Sequence, residues 1–168
     1  MSRCAVGVGS NLGDRLEHLR AAVGGLASVS RIAAVSSVYE TAPIGGPDQG
    51  PFLNAVVVID TAQTPRGLLR EFLVIERSRG RVRDTRWGPR TLDLDLILCD
   101  RRTISEPGLT VPHPRMLDRR FVLEPLLEAW PEARMPDGSA IAPSSGAVER
   151  QDLERVEAAL GGADRDRT

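Results

Sequence analysis

The stretch Thr91-Leu92-Asp93-Leu94-Asp95-Leu96-Ile97-Leu98 constrains the fold more than any other part of the chain. Apolar residues recur at every second position, and a β-strand, whose side chains alternate between faces, buries Leu92, Leu94 and Leu96 together. Asp93 and Asp95 then project from the opposite face, about 7 Å apart along the strand. Two carboxylates on one face of so apolar a strand either meet solvent or hold a cation. Mg²⁺ suits the second option, because it takes one or two carboxylates and completes its shell with water and substrate phosphate.

The surrounding charge favours the cation. All 22 basic residues are arginine and lysine is absent, which excludes Schiff-base chemistry, catalytic amines and the lysine-dependent phosphate loop. Any phosphate must be met by arginine or backbone. The net charge is only −1, yet Arg77 to Arg120 carries 11 arginines against 6 acids, a balance of +5, while the remainder carries 11 against 17, or −6. The middle of the chain is therefore suited to an anion. Within it, Arg77, Arg79, Arg81, Arg83, Arg86 and Arg90 are opposed only by Asp84, and Trp87 sits among them beside Gly88 and Pro89. Such a loop can close an indole over a flat ring while guanidinium groups grip phosphates. A solvated charged face and an apolar loop anchor are the plainer alternatives.

The order of elements predicts the fold class. Cys4 to Val8 reads as a short buried strand. Asp14 caps a helix carrying Leu16, Leu19, Val23 and Leu26 that Gly24-Gly25 weakens. Arg31 to Tyr39 and Phe52 to Asp60 read as strands, separated by a loop over Thr41 to Pro51 that is too rich in proline and glycine for a regular element. Thr64-Pro65 opens a second helix, with Thr as N-cap and Pro in the first turn. Gly80 to Arg90 is irregular, Thr91 to Leu98 is the fourth strand, and Arg119 to Ala129 reads as a helix despite Pro125. Glu149 to Leu160 reads as a final amphipathic helix. Strand, helix, strand, strand, helix, strand is the βαββαβ pattern of a ferredoxin-like α+β fold with a mostly antiparallel sheet. One domain is expected over 1–168, with a core at about 3–130, an extension over 131–160 and a frayed tail over 161–168.

Other features exclude more than they assign. No apolar run reaches the roughly 18 residues of a spanning helix, and Met1-Ser2-Arg3 leads into too short an apolar stretch for a signal peptide. A cytoplasmic location is expected. Cys4 and Cys99 cannot complete a zinc site and are expected to be buried, reduced thiols. Gly7-Val8-Gly9-Ser10-Asn11-Leu12-Gly13 misses the dinucleotide-binding glycine spacing by one residue and reads as a tight turn. His113, held between Pro112 and Pro114, is a poor zinc candidate but can bond a phosphate.

The segment Arg86-Trp87-Gly88-Pro89-Arg90-Thr91-Leu92-Asp93-Leu94-Asp95-Leu96-Ile97 resembles the signature of the 6-hydroxymethyl-7,8-dihydropterin pyrophosphokinase family of folate biosynthesis. Similar blocks follow in the family's order: Val8 to Asp14, Tyr39 to Gly45, Phe52 to Val56, Gly80 to Arg83, Val111 to Met116 and Arg120 to Leu126. The chain departs from many relatives at Gly50-Pro51, where they carry a proline and an acid, and from some at Ala42, where they have proline, and both departures alter the stiffness of the first loop. The resemblance implies transfer of the terminal pyrophosphate of ATP to the hydroxymethyl group of the pterin, giving AMP. It implies that Asp93 and Asp95 hold two Mg²⁺ ions, and that Arg81 and Arg90 stabilise phosphate charge. Glu76, Arg83, Trp87, Leu96, Thr110, His113 and Arg119 are then matched to ATP, and Thr41, Ala42, Pro43, Ile44, Phe52, Asn54 and Phe121 to the pterin. The expected partners are these small molecules, with no nucleic acid or membrane, and the expected state is a monomer.

Two other functions share some of these features. An Arg-rich, Trp-bearing loop on a ferredoxin-like sheet could bind RNA, but aromatics make up only 4% of the chain and two acids stand beside the basic loop. A magnesium-dependent nucleotidyl transferase or phosphohydrolase would share Asp93 and Asp95.

Overall fold

A computed structural model of the chain describes residues 1–80 and 89–161. Its main sheet contains β1 (Ser2–Ser10), β2 (Arg31–Val35), β3 (Val38–Thr41), β4 (Phe52–Thr61), β5 (Asp93–Cys99) and β8 (Glu154–Val156). The order is β5-β1-β4-β3-β8, with β2 pairing along the other half of β4, and every pairing is antiparallel. Helices α1 (Arg15–Val29) and α2 (Pro65–Ser78) cover one face, and α3 (Arg120–Ala129) covers part of the other. This is the ferredoxin-like α+β arrangement that the sequence predicts.

Alternation decides what each face receives. Val6 and Val8 of β1, Leu53 and Val57 of β4, and Leu92, Leu94 and Leu96 join Leu19, Leu26, Leu68 and Phe72 of α1 and α2 in one core. On the opposite face, Ala5, Val56, Val58, Ile97 and Leu98 pack with Val122, Leu123 and Leu126 of α3. Ile97 is the extra residue at a register shift in the β1–β5 ladder, so both Ile97 and Leu98 join the α3 side. The helix starts follow the sequence: the Asp14 carboxylate accepts from the Glu17 N–H, and the Thr64 hydroxyl accepts from the Gly67 N–H ahead of Pro65 in the first turn.

Several expectations need correction. Arg31 to Tyr39 is interrupted at Ser36-Ser37, where the Ser36 Oγ accepts from the Val56 N–H and replaces a ladder bond. Gly7 and Gly9 lie within β1, so the only turn residue among these glycines is Gly13, with φ of 70°. Glu149 to Leu160 is not a helix: after the short α4 (Gly146–Glu149) the chain extends as β8, because the open edge of β3 offers it a ladder through Val38, Tyr39 and Glu40. Strands β6 (Ile104–Glu106) and β7 (Leu109–Val111) form a small hairpin that the sequence reading missed. Cys4 and Cys99 are buried as expected, but the β1–β5 register sets them opposite one another and they are joined as a disulfide rather than kept as free thiols. Among the described residues, no helix is long and apolar enough to cross a membrane.

Candidate active site

The α3 side of the sheet is only half covered. Beyond the start of α3, Gly7, Gly9, Asn54, Asp93 and Asp95 line a cavity of about 360 Å³ on this face of the sheet. Register explains its floor: Asp93, Gly9, Asn54 and Tyr39 form one cross-strand row, and Asp95, Gly7 and Val56 form the next. The two glycines thus leave space between the acidic strand and the residues of β4. A β-carbon on Gly9 would stand 2.8 Å from the Asn54 Oδ1, and one on Gly7 would press on Ile97 at 3.3 Å.

One side of the cavity suits a flat polar ring. Phe52 and Phe121 line it together with Thr41, Ala42 and Ile44. Asn54 is buried, and its Nδ2 donates to the Thr41 Oγ1 at 2.9 Å, which turns its carbonyl oxygen toward Gly9. The loop between β3 and β4 is fastened at its base by Arg15, whose Nη1 donates to the Glu40 carboxylate and to the Pro51 carbonyl, both at 2.9 Å.

The other side is charged. Asp95 is crowded: burial first and the neighbouring Asp93 second push its carboxyl up to about 7, against the pull of Arg119 and Arg90. The Arg90 Nη1 meets the Asp93 Oδ2 at 2.5 Å. Arg119 lies over the Phe121 ring, 5.6 Å from its centroid, and burial lowers its own pKa. Burial, with Arg119 and Arg115 nearby, lowers His113 to about 4, so its imidazole is neutral near pH 7. Its Nδ1 accepts from the Arg115 N–H, leaving Nε2 as the protonated nitrogen and a donor.

The acidic pair fits a hard divalent cation. Two carboxylates held together at the cost of a raised pKa gain from a dication between them. Among the described residues no group of three or more His, Cys, Asp or Glu side chains could hold a metal. A cation here would therefore draw its remaining ligands from water and substrate, as Mg²⁺ does and structural zinc does not.

The structure brings together most of the residues that the sequence singles out. Arg90, Asp93, Asp95, His113, Arg119, Thr41, Ala42, Ile44, Phe52, Asn54 and Phe121 all line the cavity. Arg81, Arg83 and Trp87 fall outside the described residues. Four others stand off the cavity wall. Leu96 points into the α1/α2 core because it shares the parity of Leu94, leaving only its backbone along the edge strand β5. Glu76 is buried beneath β5, where its Oε1 accepts from the Leu94 N–H at 2.9 Å. Thr110 is exposed on the β6–β7 hairpin, and Pro43 does not line the cavity although its neighbours do. Gly7, Gly9, Gln49 and Arg115 line it without having been singled out for such a role.

The chain is similar to known proteins over most of its length. The family model for 7,8-dihydro-6-hydroxymethylpterin-pyrophosphokinase matches residues 5–131. Proteins named 2-amino-4-hydroxy-6-hydroxymethyldihydropteridine pyrophosphokinase are similar over most of their length. The one from Bacillus subtilis is 46% identical over 84% of this chain and 86% of its own. Those from Methylorubrum extorquens and Pseudomonas aeruginosa are 42% and 40% identical, over 94% and 93% of this chain and 100% and 98% of theirs. Among solved structures, Plasmodium falciparum HPPK-DHPS with pterin and p-hydroxybenzoate superposes with a TM-score of 0.67 at 16% identity, a likeness of fold. That match covers 83% of this chain, which spans only 42% of the longer one. On the extent of the family match and the identity of these relatives, the chain belongs to the 7,8-dihydro-6-hydroxymethylpterin-pyrophosphokinase family.

Proposed function

We propose that this chain transfers pyrophosphate from ATP to 6-hydroxymethyl-7,8-dihydropterin, giving AMP and the pterin diphosphate, a step of folate biosynthesis. The observation that carries this reading is one cavity with a flat, amide-edged pocket at one end and a carboxylate pair ringed by arginines at the other. In the reaction the hydroxymethyl oxygen bonds to the β-phosphorus of ATP and releases its proton to solvent, as the bond from that phosphorus to the α-phosphate oxygen breaks and its electron pair leaves with AMP. Such transfers need little covalent help, so positioning and charge supply most of the acceleration.

The roles divide along the cavity. Phe52 and Phe121 stack the pterin, and Asn54, fixed by Thr41, meets its polar edge. Ala42, Pro43 and Ile44 form the loop over it. Asp93 and Asp95 would hold Mg²⁺, two ions by family resemblance, which supply charge neutralisation across the phosphates. Arg90 leaves Asp93 for the phosphates, and Arg119 and the Nε2 of His113 donate to them from the other side. Arg81, Arg83 and Trp87 are expected to complete the nucleotide side, with Glu76 holding β5 in place and Leu96 and Thr110 offering backbone contacts. The partners are small molecules, acted on by a monomer in the cytoplasm.

Product analysis tests the proposal. AMP appearing only when both ATP and the hydroxymethyl pterin are present is the expected result. ADP or free pyrophosphate as the product would point to a different phosphoryl or nucleotidyl transfer, and tight RNA binding without turnover would overturn the enzymatic reading.

A further inference from the structure

Asn11 follows β1 in the turn before α1 and does not line the cavity, yet only 8% of it is exposed. Its Oδ1 accepts from the Arg90 N–H at 2.8 Å, and its own N–H donates to the Arg90 carbonyl at 3.1 Å. Its Nδ2 donates to the Gln49 Oε1 at 2.9 Å and to the Gly50 carbonyl at 3.1 Å. The orientation of the amide is fixed chemically. The Arg90 N–H needs an acceptor and the Gly50 carbonyl needs a donor, so only one arrangement of Oδ1 and Nδ2 satisfies both. One buried side chain therefore joins the backbone of Arg90 to the far end of the loop between β3 and β4.

The two segments that Asn11 joins serve opposite ends of the cavity. Arg90 stands beside the acidic pair, whereas the loop that begins at Thr41 and ends at Pro51 supplies Thr41, Ala42, Ile44 and Gln49 to the wall. Arg15 fastens the base of that loop to Glu40 and Pro51, and the Asn11 amide ties Gln49 and Gly50 to the backbone of Arg90.

We infer that Asn11 is a positioning residue: it keeps the guanidinium of Arg90 and the pterin loop in one register, so that acceptor and phosphates meet at the correct separation. The inference rests on the proposed pyrophosphate transfer. Loss of this register displaces reacting groups by a fraction of an ångström to an ångström, and displacement on that scale costs about tenfold to a hundredfold in rate.

A double-mutant cycle with Arg90 separates positioning from simple stability. Asn11→Ala should lower kcat by about tenfold or more in the otherwise unaltered enzyme, but by less than about threefold in an Arg90→Ala background, because the group it positions is then missing. Equal losses in both backgrounds, or no loss in the first, would overturn the inference. Asn11→Asp provides a second measurement should the alanine variant fail to fold. It retains the acceptor for the Arg90 N–H and loses the two donors to the loop, so KM for the pterin should rise by about tenfold while kcat changes less. A fall in kcat with no change in that KM would also overturn it. Absence of AMP formation by the unaltered enzyme would overturn the proposed function itself, whereas normal turnover with multiplicative losses would overturn only the role of Asn11.

Discussion

Gly9 and Asn54 face one another across the β1–β4 ladder so closely that a β-carbon on Gly9 would stand 2.8 Å from the Asn54 Oδ1. On its other side Gly9 pairs with Asp93. The passage from the amide to the carboxylates is therefore only as wide as a residue without a side chain allows.

Gly9→Ala should push the Asn54 amide out of the position that Thr41 gives it. We expect pterin affinity to fall by about tenfold or more, equivalent to 1.4 kcal/mol or more. Affinity for ATP measured without pterin should change much less. Calorimetric titration with each ligand separately checks this, and an unchanged pterin affinity would remove Asn54 from the binding surface.

Asp95 makes stability depend on pH. In the folded protein its carboxyl is raised from 3.8 to about 7 by burial and by Asp93. The folded state thus binds a proton that the unfolded chain has already lost, and the penalty is absent below about pH 4, grows toward pH 7 and levels off above it. Asp95→Asn, compared with the unaltered protein in the presence of a chelator, should raise Tm at pH 8 by roughly 3–6 °C. The gain should vanish near pH 4. A gain independent of pH would mean that the carboxylate is not strained in this way.

Arg90 holds Asp93 before any phosphate arrives, since its Nη1 lies 2.5 Å from the Asp93 Oδ2. Its contribution should grow as it exchanges that partner for phosphate charge developing in the reaction. Arg90→Ala is expected to lower kcat on the order of a hundredfold. Binding of an unreactive ATP analogue, measured separately, should weaken far less. If only KM for ATP rose, Arg90 would serve simple binding.

The sequence revealed the fold wherever burial and local chemistry agreed. The alternation at Leu92, Leu94 and Leu96 set the face of Asp93 and Asp95, and Asp14 and Thr64 marked their helices by capping chemistry. It concealed what depends on distant pairing. Gly7 and Gly9 resemble turn residues until β4 and β5 are laid beside them, although their two-residue spacing continues the parity of Ala5. The strand character of Glu154 to Val156 arises from the free edge of β3, and the pairing of Cys4 with Cys99 arises from a register between residues 95 positions apart. Glu76 carries a sequence signal as a buried acid on an apolar helix face, but its partner, the Leu94 N–H, becomes evident only when α2 is placed against β5.

Gly24 and Gly25 show the same division between local propensity and packing, and they provide a test with opposite signs. Glycine weakens a helix interior relative to alanine by roughly 0.5–1 kcal/mol, so propensity alone favours alanine at both positions. Gly24 is exposed, with nothing within 4 Å of a β-carbon there, whereas a β-carbon on Gly25 would meet the Ile75 Cγ1 at 2.8 Å. Gly24→Ala should therefore stabilise the protein by up to about 1 kcal/mol. Gly25→Ala should destabilise it by about 1–2 kcal/mol net, since overpacking at the α1–α2 contact outweighs the propensity gain. Urea unfolding of both variants measures the two signs. Stabilisation by both would mean that α1 and α2 are not in close contact at Gly25. Because Ile75 precedes Glu76, whose carboxylate holds the Leu94 N–H between Asp93 and Asp95, a shift of α2 in the Gly25 variant should also lower turnover, while the Gly24 variant retains it.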